Sequence, residues 1–334
     1  MADDPNVRAL LYALLARLLL DELDRPLACY LRGLPGLAEH IPPDTELDDW
    51  LADMRAEHQR LFGLNIYPYE SIFRDHELML DSTATQAIAA LYEACGFTPA
   101  ARLRTGAPDH LGIELALMGE LAGRVPREPS ARAHMVALVG HLAAWLPACA
   151  EAISHTAYAP LHRALAEIAV ELVLSELGES EALPALPQPL CHQRIERELA
   201  APLPSQPKGE MEVQDLDLHQ IVRRLLTPDE VGVFICRADI AGIGHGLGLP
   251  APIAERGHML LSLFEAAGRF ELAPALLAAL GQRLRAADAT YVRLAAAHPA
   301  WQTYGQAWRG RVADGLALLE GLVSEYGELR AGFE

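Results

Sequence analysis

Two segments, Glu57–Phe73 (EHQRLFGLNIYPYESIF) and Ala107–Ala122 (APDHLGIELALMGELA), decide how this chain is read. Each joins a Pro-containing break to an apolar, helix-forming run. Between them lie a charged cluster, Arg74-Asp75-His76-Glu77, and further helical sequence. The region from Glu57 to Glu114 is therefore either a catalytic centre, a binding groove or the middle of a helical core.

Outward from this region the chain is helical in pattern. Ala and Leu dominate the 51% hydrophobic residues, and both lose little on entering a helix. Val7, Leu10, Leu11, Leu14, Leu15, Leu18 and Leu19 recur at i, i+3, i+4 spacing and predict a helix over residues 5–23. Helices are expected through Leu51 to Phe62, over 71–96 as one or two pieces stopped by Gly96, from Pro108-Asp109 onward, over 130–155 and over 159–177. Ala133–Ala150 holds no Asp, Glu, Lys or Arg, but His134, His141 and Pro147 interrupt it, so it reads as a buried core helix and not a membrane span. Asp109 reads as the cap of the helix that follows it.

Residues 178–212 change character, with many prolines and no sustained periodicity, which marks a linker. Helical patterns then resume. Thr227-Pro228-Asp229-Glu230 has the form of a capping box, and Gly242–Gly248 reads as a tight interhelical turn. The expected fold class is all-α: a helical domain over 1–180, a linker over 181–212 and a smaller helical domain over 213–334.

The chain has 45 acidic and 27 basic residues, a net charge of −18. That balance disfavours nucleic acid and suits a cationic partner. Five cysteines without a CxxC pair indicate free thiols in a reducing compartment. The N-terminus lacks a basic leader, so it reads as a helix and not a signal peptide.

For chemistry, His76, Asp109, His110 and Glu114 are the candidate ligands of a helical metal-dependent hydrolase. No HExxH or paired ExxH accompanies them, and this remains the alternative reading. Gly242–Gly248 does not fit GxGxxG, and no nucleophile motif is present. No catalytic residue, metal or cofactor is expected. A binding surface fits better: Leu61, Phe62, Pro68 and Tyr69 offer apolar area, and Glu70, Asp109 and Glu114 would form an acidic rim.

The order RLF, Tyr67-Pro68-Tyr69-Glu70-Ser71, LYEACGF and then Pro108-Asp109-His110 with Gly112 and Glu114 resembles the TorD/DmsD/NarJ family of redox-enzyme maturation chaperones over about residues 5–180. Gly106-Ala107 stand where the family commonly carries Glu. The resemblance implies an all-α, cytoplasmic, non-enzymatic protein of the TorD-like type. It implies binding of the twin-arginine leader, and often the body, of a molybdenum-cofactor oxidoreductase precursor until cofactor insertion is complete. By position, Leu61, Phe62, Pro68, Tyr69, Glu70, Ser71, Pro108, Asp109, His110 and Glu114 become the client-binding candidates. A homodimer, domain-swapped or otherwise, is a further implied possibility, and the residues after the linker read as a second docking surface.

Overall fold

The helical patterns fold as helices. The computed structural model describes residues 5–75, 83–99, 107–181 and 217–331, and among these there are fourteen α-helices and no strand. The described residues divide into two units. Residues 5–181 with His298–Trp301 form the first, and 217–297 with 302–331 the second. The expected linker, 181–212, falls almost wholly outside the described residues, as do His76 and Cys191.

In the first unit, α1 (Pro5–Leu20) buries Tyr12, Leu14, Leu15 and Leu18, while Val7 and Leu10 at its start stay exposed. It lies against α6 (Leu111–Arg124) at close range. A Cβ on Gly119 would stand 3.0 Å from the Ala9 carbonyl oxygen, so only glycine lets the two backbones approach this far. Arg8 ties α1 to α8 (Pro160–Glu181) by ion pairs to Glu176 at 3.0 Å and Glu179 at 2.9 Å. Helix α7 (Pro129–Thr156), which carries the uncharged run 133–150, is the centre of the unit. It is long and apolar enough to cross a membrane, but 94% of its apolar window is buried against protein. Trp145 of α7 sits at 0% exposure beside Phe73, and the Ala143 carbonyl accepts a 2.8 Å hydrogen bond from Trp301 Nε1. With that bond, the 3.1 Å pairing of His298 Nε2 with Glu171 of α8 holds His298–Trp301 to the first unit.

Short helices fill the rest: α2 (Arg25–Leu31), α3 (Leu47–His58), α4 (Glu70–Arg74) and α5 (Thr83–Cys95). Helix α5 stops as expected, with Gly96 at φ 62° and the Phe97 N–H bonded to the Tyr92 carbonyl. Helix α3 does not end at Phe62. It widens into a π-helical stretch, Gln59–Asn65, where the Ile66 N–H reaches the Leu61 carbonyl at 2.7 Å. Asn65 Nδ2 donates to the Arg60 carbonyl at 2.8 Å and helps to close it.

The second unit holds α9 (Leu218–Leu226), α10 (Pro228–Val231), α11 (Arg237–Gly246), α12 (Arg256–Arg269), α13 (Ala273–Ala297) and α14 (Gln302–Ala331). Its capping box is not at Thr227. The Thr227 hydroxyl donates to the Arg223 carbonyl instead, and Glu230 pairs with Arg224 at 3.0 Å. Capping boxes form instead ten residues earlier, between Asp217 and Gln220, and at the start of α11, between Cys236 and Asp239. Gly242, Gly244 and Gly246 are helical rather than a turn; only Gly248, at φ 68°, lies in the left-handed region.

Candidate functional site

Both signature segments end at helix starts, and the two starts meet. Tyr69 and His110 form an antiparallel β-bridge. The Glu70 N–H donates to the Asp109 carbonyl at 3.0 Å, and the Leu111 N–H donates to the Pro68 carbonyl at 2.8 Å. The rings of Tyr69 and His110 pack edge to face, 4.9 Å apart. Pro68 and Pro108 precede the bridge and hold the chain extended there, which leaves backbone groups free to pair across it.

One cap crosses between the two segments. Asp109 does not cap the helix that follows it; its Oδ2 accepts from the Ser71 N–H of α4 at 2.9 Å. His110 caps α6 through Nδ1, which accepts from the Gly112 N–H at 3.0 Å. The aspartate therefore ties α4 to the 107–111 segment, a role that no local pattern announces.

Beneath the bridge lies a charged cluster. His141 of α7 places Nε2 at 3.0 Å from Glu70 Oε2 and 3.2 Å from Glu114 Oε2, with all three side chains at 0% exposure. Arg74 pairs with the other oxygen of Glu70. Burial opposes the charge on His141, but the pull of Glu70 and Glu114 outweighs it and lifts the pKa to about 9. Burial lifts Glu114 to about 7 against the pull of His141. Burial also acts on Glu70, yet His141 and Arg74 prevail and hold it below the ordinary glutamate value. Asp109 is raised by burial despite its bonds to Ser71.

The acidic rim expected from the sequence is thus not a rim. Glu70, Asp109 and Glu114 are buried, as are Leu61, Pro68 and Ser71. Phe62, Tyr69, Pro108 and His110 keep partial exposure, and Leu64, two residues after Phe62, is 53% exposed. The carboxylates turn inward because cationic and N–H partners await them there, and a buried carboxylate without such partners is costly. His141 carried no motif in the sequence. Its only signal was being one of two histidines in an uncharged stretch of eighteen residues. The proposed ligands of a hydrolase do not converge either. Asp109 serves Ser71, His110 Nδ1 serves Gly112, Glu114 faces His141, and His76 lies outside the described residues.

Alongside the bridge runs a narrow apolar cavity of about 20 Å³, lined by Leu15, Phe62, Leu111, Leu146, His162 and Leu165 among others. Phe62, His58 and His162 form a ring cluster at its edge, with centroids 5.0–6.4 Å apart. Burial pushes His162 down to about 4. A group that prefers to be neutral when folded stabilises the fold above its unfolded pKa of 6.5, and that stability is lost as pH falls through about 4. Its contribution is at most about 3 kcal/mol. We expect the melting temperature to fall between pH 6.5 and 4, and His162→Phe, which cannot protonate, to flatten that fall. Thermal unfolding followed by circular dichroism across this range checks it; parallel pH profiles for the two proteins would refute it.

Fold and site together define the class: an all-helical protein whose two signature segments are pinned to each other over a buried Glu–His–Glu cluster. Residues 21–151, which contain every element of that junction, match the family model described as nitrate reductase delta subunit, a NarJ/TorD-type chaperone family. This is a family of molybdoenzyme maturation chaperones. No curated protein and no solved structure matches the chain.

Proposed function

We propose that the protein is a cytoplasmic chaperone that binds the twin-arginine leader, the body, or both, of a molybdenum-cofactor oxidoreductase precursor. It acts by reversible binding, holding the apoenzyme until cofactor insertion is finished. One observation carries this reading: the segments that resemble the family's peptide site meet at the Tyr69–His110 bridge, inside the stretch matched by the family model.

The residues divide into two roles. Phe62, Tyr69, Pro108 and His110, with Leu64, present the face that a client touches. Leu61, Pro68, Glu70, Ser71, Asp109 and Glu114 hold that face in place from within. The apolar segment of a leader suits the part-exposed apolar surface of Phe62, Leu64 and Tyr69. The twin arginines are drawn by the net charge of −18 rather than by the buried carboxylates.

Titration calorimetry with a synthetic leader peptide from a molybdoenzyme precursor tests this. Tyr69→Ala with His110→Ala is expected to weaken binding by about tenfold or more, as loss of a central aromatic contact does. Asp109→Ala acts indirectly. It removes a cap worth about 0.5–2 kcal/mol of stability and loosens the bridge. Peptide affinity unchanged in the Tyr69/His110 double variant would remove this face from the binding site. Failure of the unaltered chain to bind any such leader or precursor would remove the function.

A further inference from the structure

We propose that Glu70, Glu114 and His141 form a binding site for one first-row divalent transition cation, with zinc as the natural probe. The site is distinct from the hydrolase ligand set considered from the sequence, sharing only Glu114 with it. The proposal does not depend on which client the protein binds.

Geometry is the first ground. The donor atoms of the three side chains lie within 4.8 Å of one another. Nε2 stands 3.0 and 3.2 Å from the two carboxylate oxygens. Four-coordinate zinc with bonds of about 2.0–2.2 Å sets its ligands ~3.3 Å apart. The second ground is the state of those atoms. His141 Nε2, Glu70 Oε2 and both oxygens of Glu114 are fully buried and, apart from the ion-pair contacts among themselves, have no hydrogen-bond partner. A cation between the three would satisfy all of these atoms at once, and buried polar atoms rarely go unsatisfied.

The surroundings fit as well. Arg74 holds Glu70 Oε1 and orients that carboxylate from outside the cluster, the usual task of a supporting contact around a metal ligand. One nitrogen and two carboxylate oxygens suit zinc, manganese or iron(II) better than calcium or magnesium. The three ligands come from α4, α6 and α7, so the ion would join the two signature segments to the central helix. With every ligand at 0% exposure, the ion would have no open face for substrate. Its role would be structural, and the chain would take it up as it folds.

The full chain, expressed in zinc-supplemented medium and then dialysed against a chelator to strip surface-bound ions, is the sample. Elemental analysis should find about one first-row cation per chain in the unaltered protein. Glu114→Gln and Glu70→Gln keep side-chain volume and remove a ligand, and each should lower retention by about tenfold or more. Cobalt-grown protein should show the visible absorption of a four- or five-coordinate N/O site, which is lost in both variants. Unaltered protein that retains no metal overturns the proposal, as does equal retention in both variants. If one variant does not fold, the other decides. If neither folds, a cobalt spectrum lacking those bands in the unaltered chain overturns it.

Discussion

Replacing His141 by alanine should destabilise the first unit by about 3–5 kcal/mol. The side chain is at 0% exposure between two carboxylates that are themselves at 0%. Removing it leaves Glu70 and Glu114 facing each other in a dry interior, with Arg74 engaging only the former. It also opens a cavity beside residues that are packed to zero exposure, such as Leu138, Leu142 and Trp145. The loss should be asymmetric across the cluster. Glu114→Gln mimics the protonated carboxyl that burial already favours, so in metal-free protein it should cost far less. Urea unfolding followed by circular dichroism, with both variants side by side, measures this. Equal and small losses would mean that the cluster carries little of the unit's stability.

The second large effect is expected in the other unit. Gly232 follows α10 at φ 72°, a conformation that disfavours any residue with a Cβ. A Cβ there would lie 2.6 Å from Val312 Cγ2, 2.7 Å from the Val312 nitrogen and 2.8 Å from the Trp308 carbonyl oxygen. Two of those three atoms are backbone of α14 and cannot rotate away. The Gly232 carbonyl also accepts a 2.8 Å bond from the buried Tyr291 hydroxyl, so a shift of the turn would break that contact. Strain in the left-handed region and overpacking together suggest about 3–5 kcal/mol for Gly232→Ala. Thermal unfolding would report it as an early transition. Gly242→Ala is the natural control, because a Cβ at that helical position meets nothing within 4 Å. Comparable melting of the two variants would refute the account.

Folding stability and metal retention are separate properties of the Glu70–Glu114–His141 cluster. His141→Ala reports what the cluster contributes to folding, whereas the glutamine variants report whether a cation occupies it. A cluster that stabilises the unit but retains no metal would leave the first standing and the second refuted. In either case the buried groups shape the proposed client face only indirectly, by holding Tyr69 and His110 where they are.

Much of the fold was legible in the sequence because helix formation is local. Leucines at helical spacing placed α1, the uncharged run placed α7, and Gly96 marked the end of α5, since each depends on residues within a turn or two. Errors arose where a local pattern had a competing partner farther away. Thr227 looked like a cap but bonds back to Arg223, and Gly242–Gly246 looked like a turn but is helix. The widening of α3 into a π-helical stretch at Gln59 was not foreseeable from propensities.

The candidate site shows the same limit. By itself the sequence placed Pro68–Ser71 and Pro108–His110 at helix starts, because proline and capping residues announce such starts. Only the tertiary structure decided that the starts pair through their backbones, that Asp109 caps the helix of the other segment, and that Glu70 and Glu114 turn inward to His141. The separations explain why: Asp109 lies 38 positions after Ser71, and His141 lies 71 positions after Glu70. Local periodicity carries no information over such distances. Whether a carboxylate faces water or a buried imidazole is set by what the rest of the chain brings beside it.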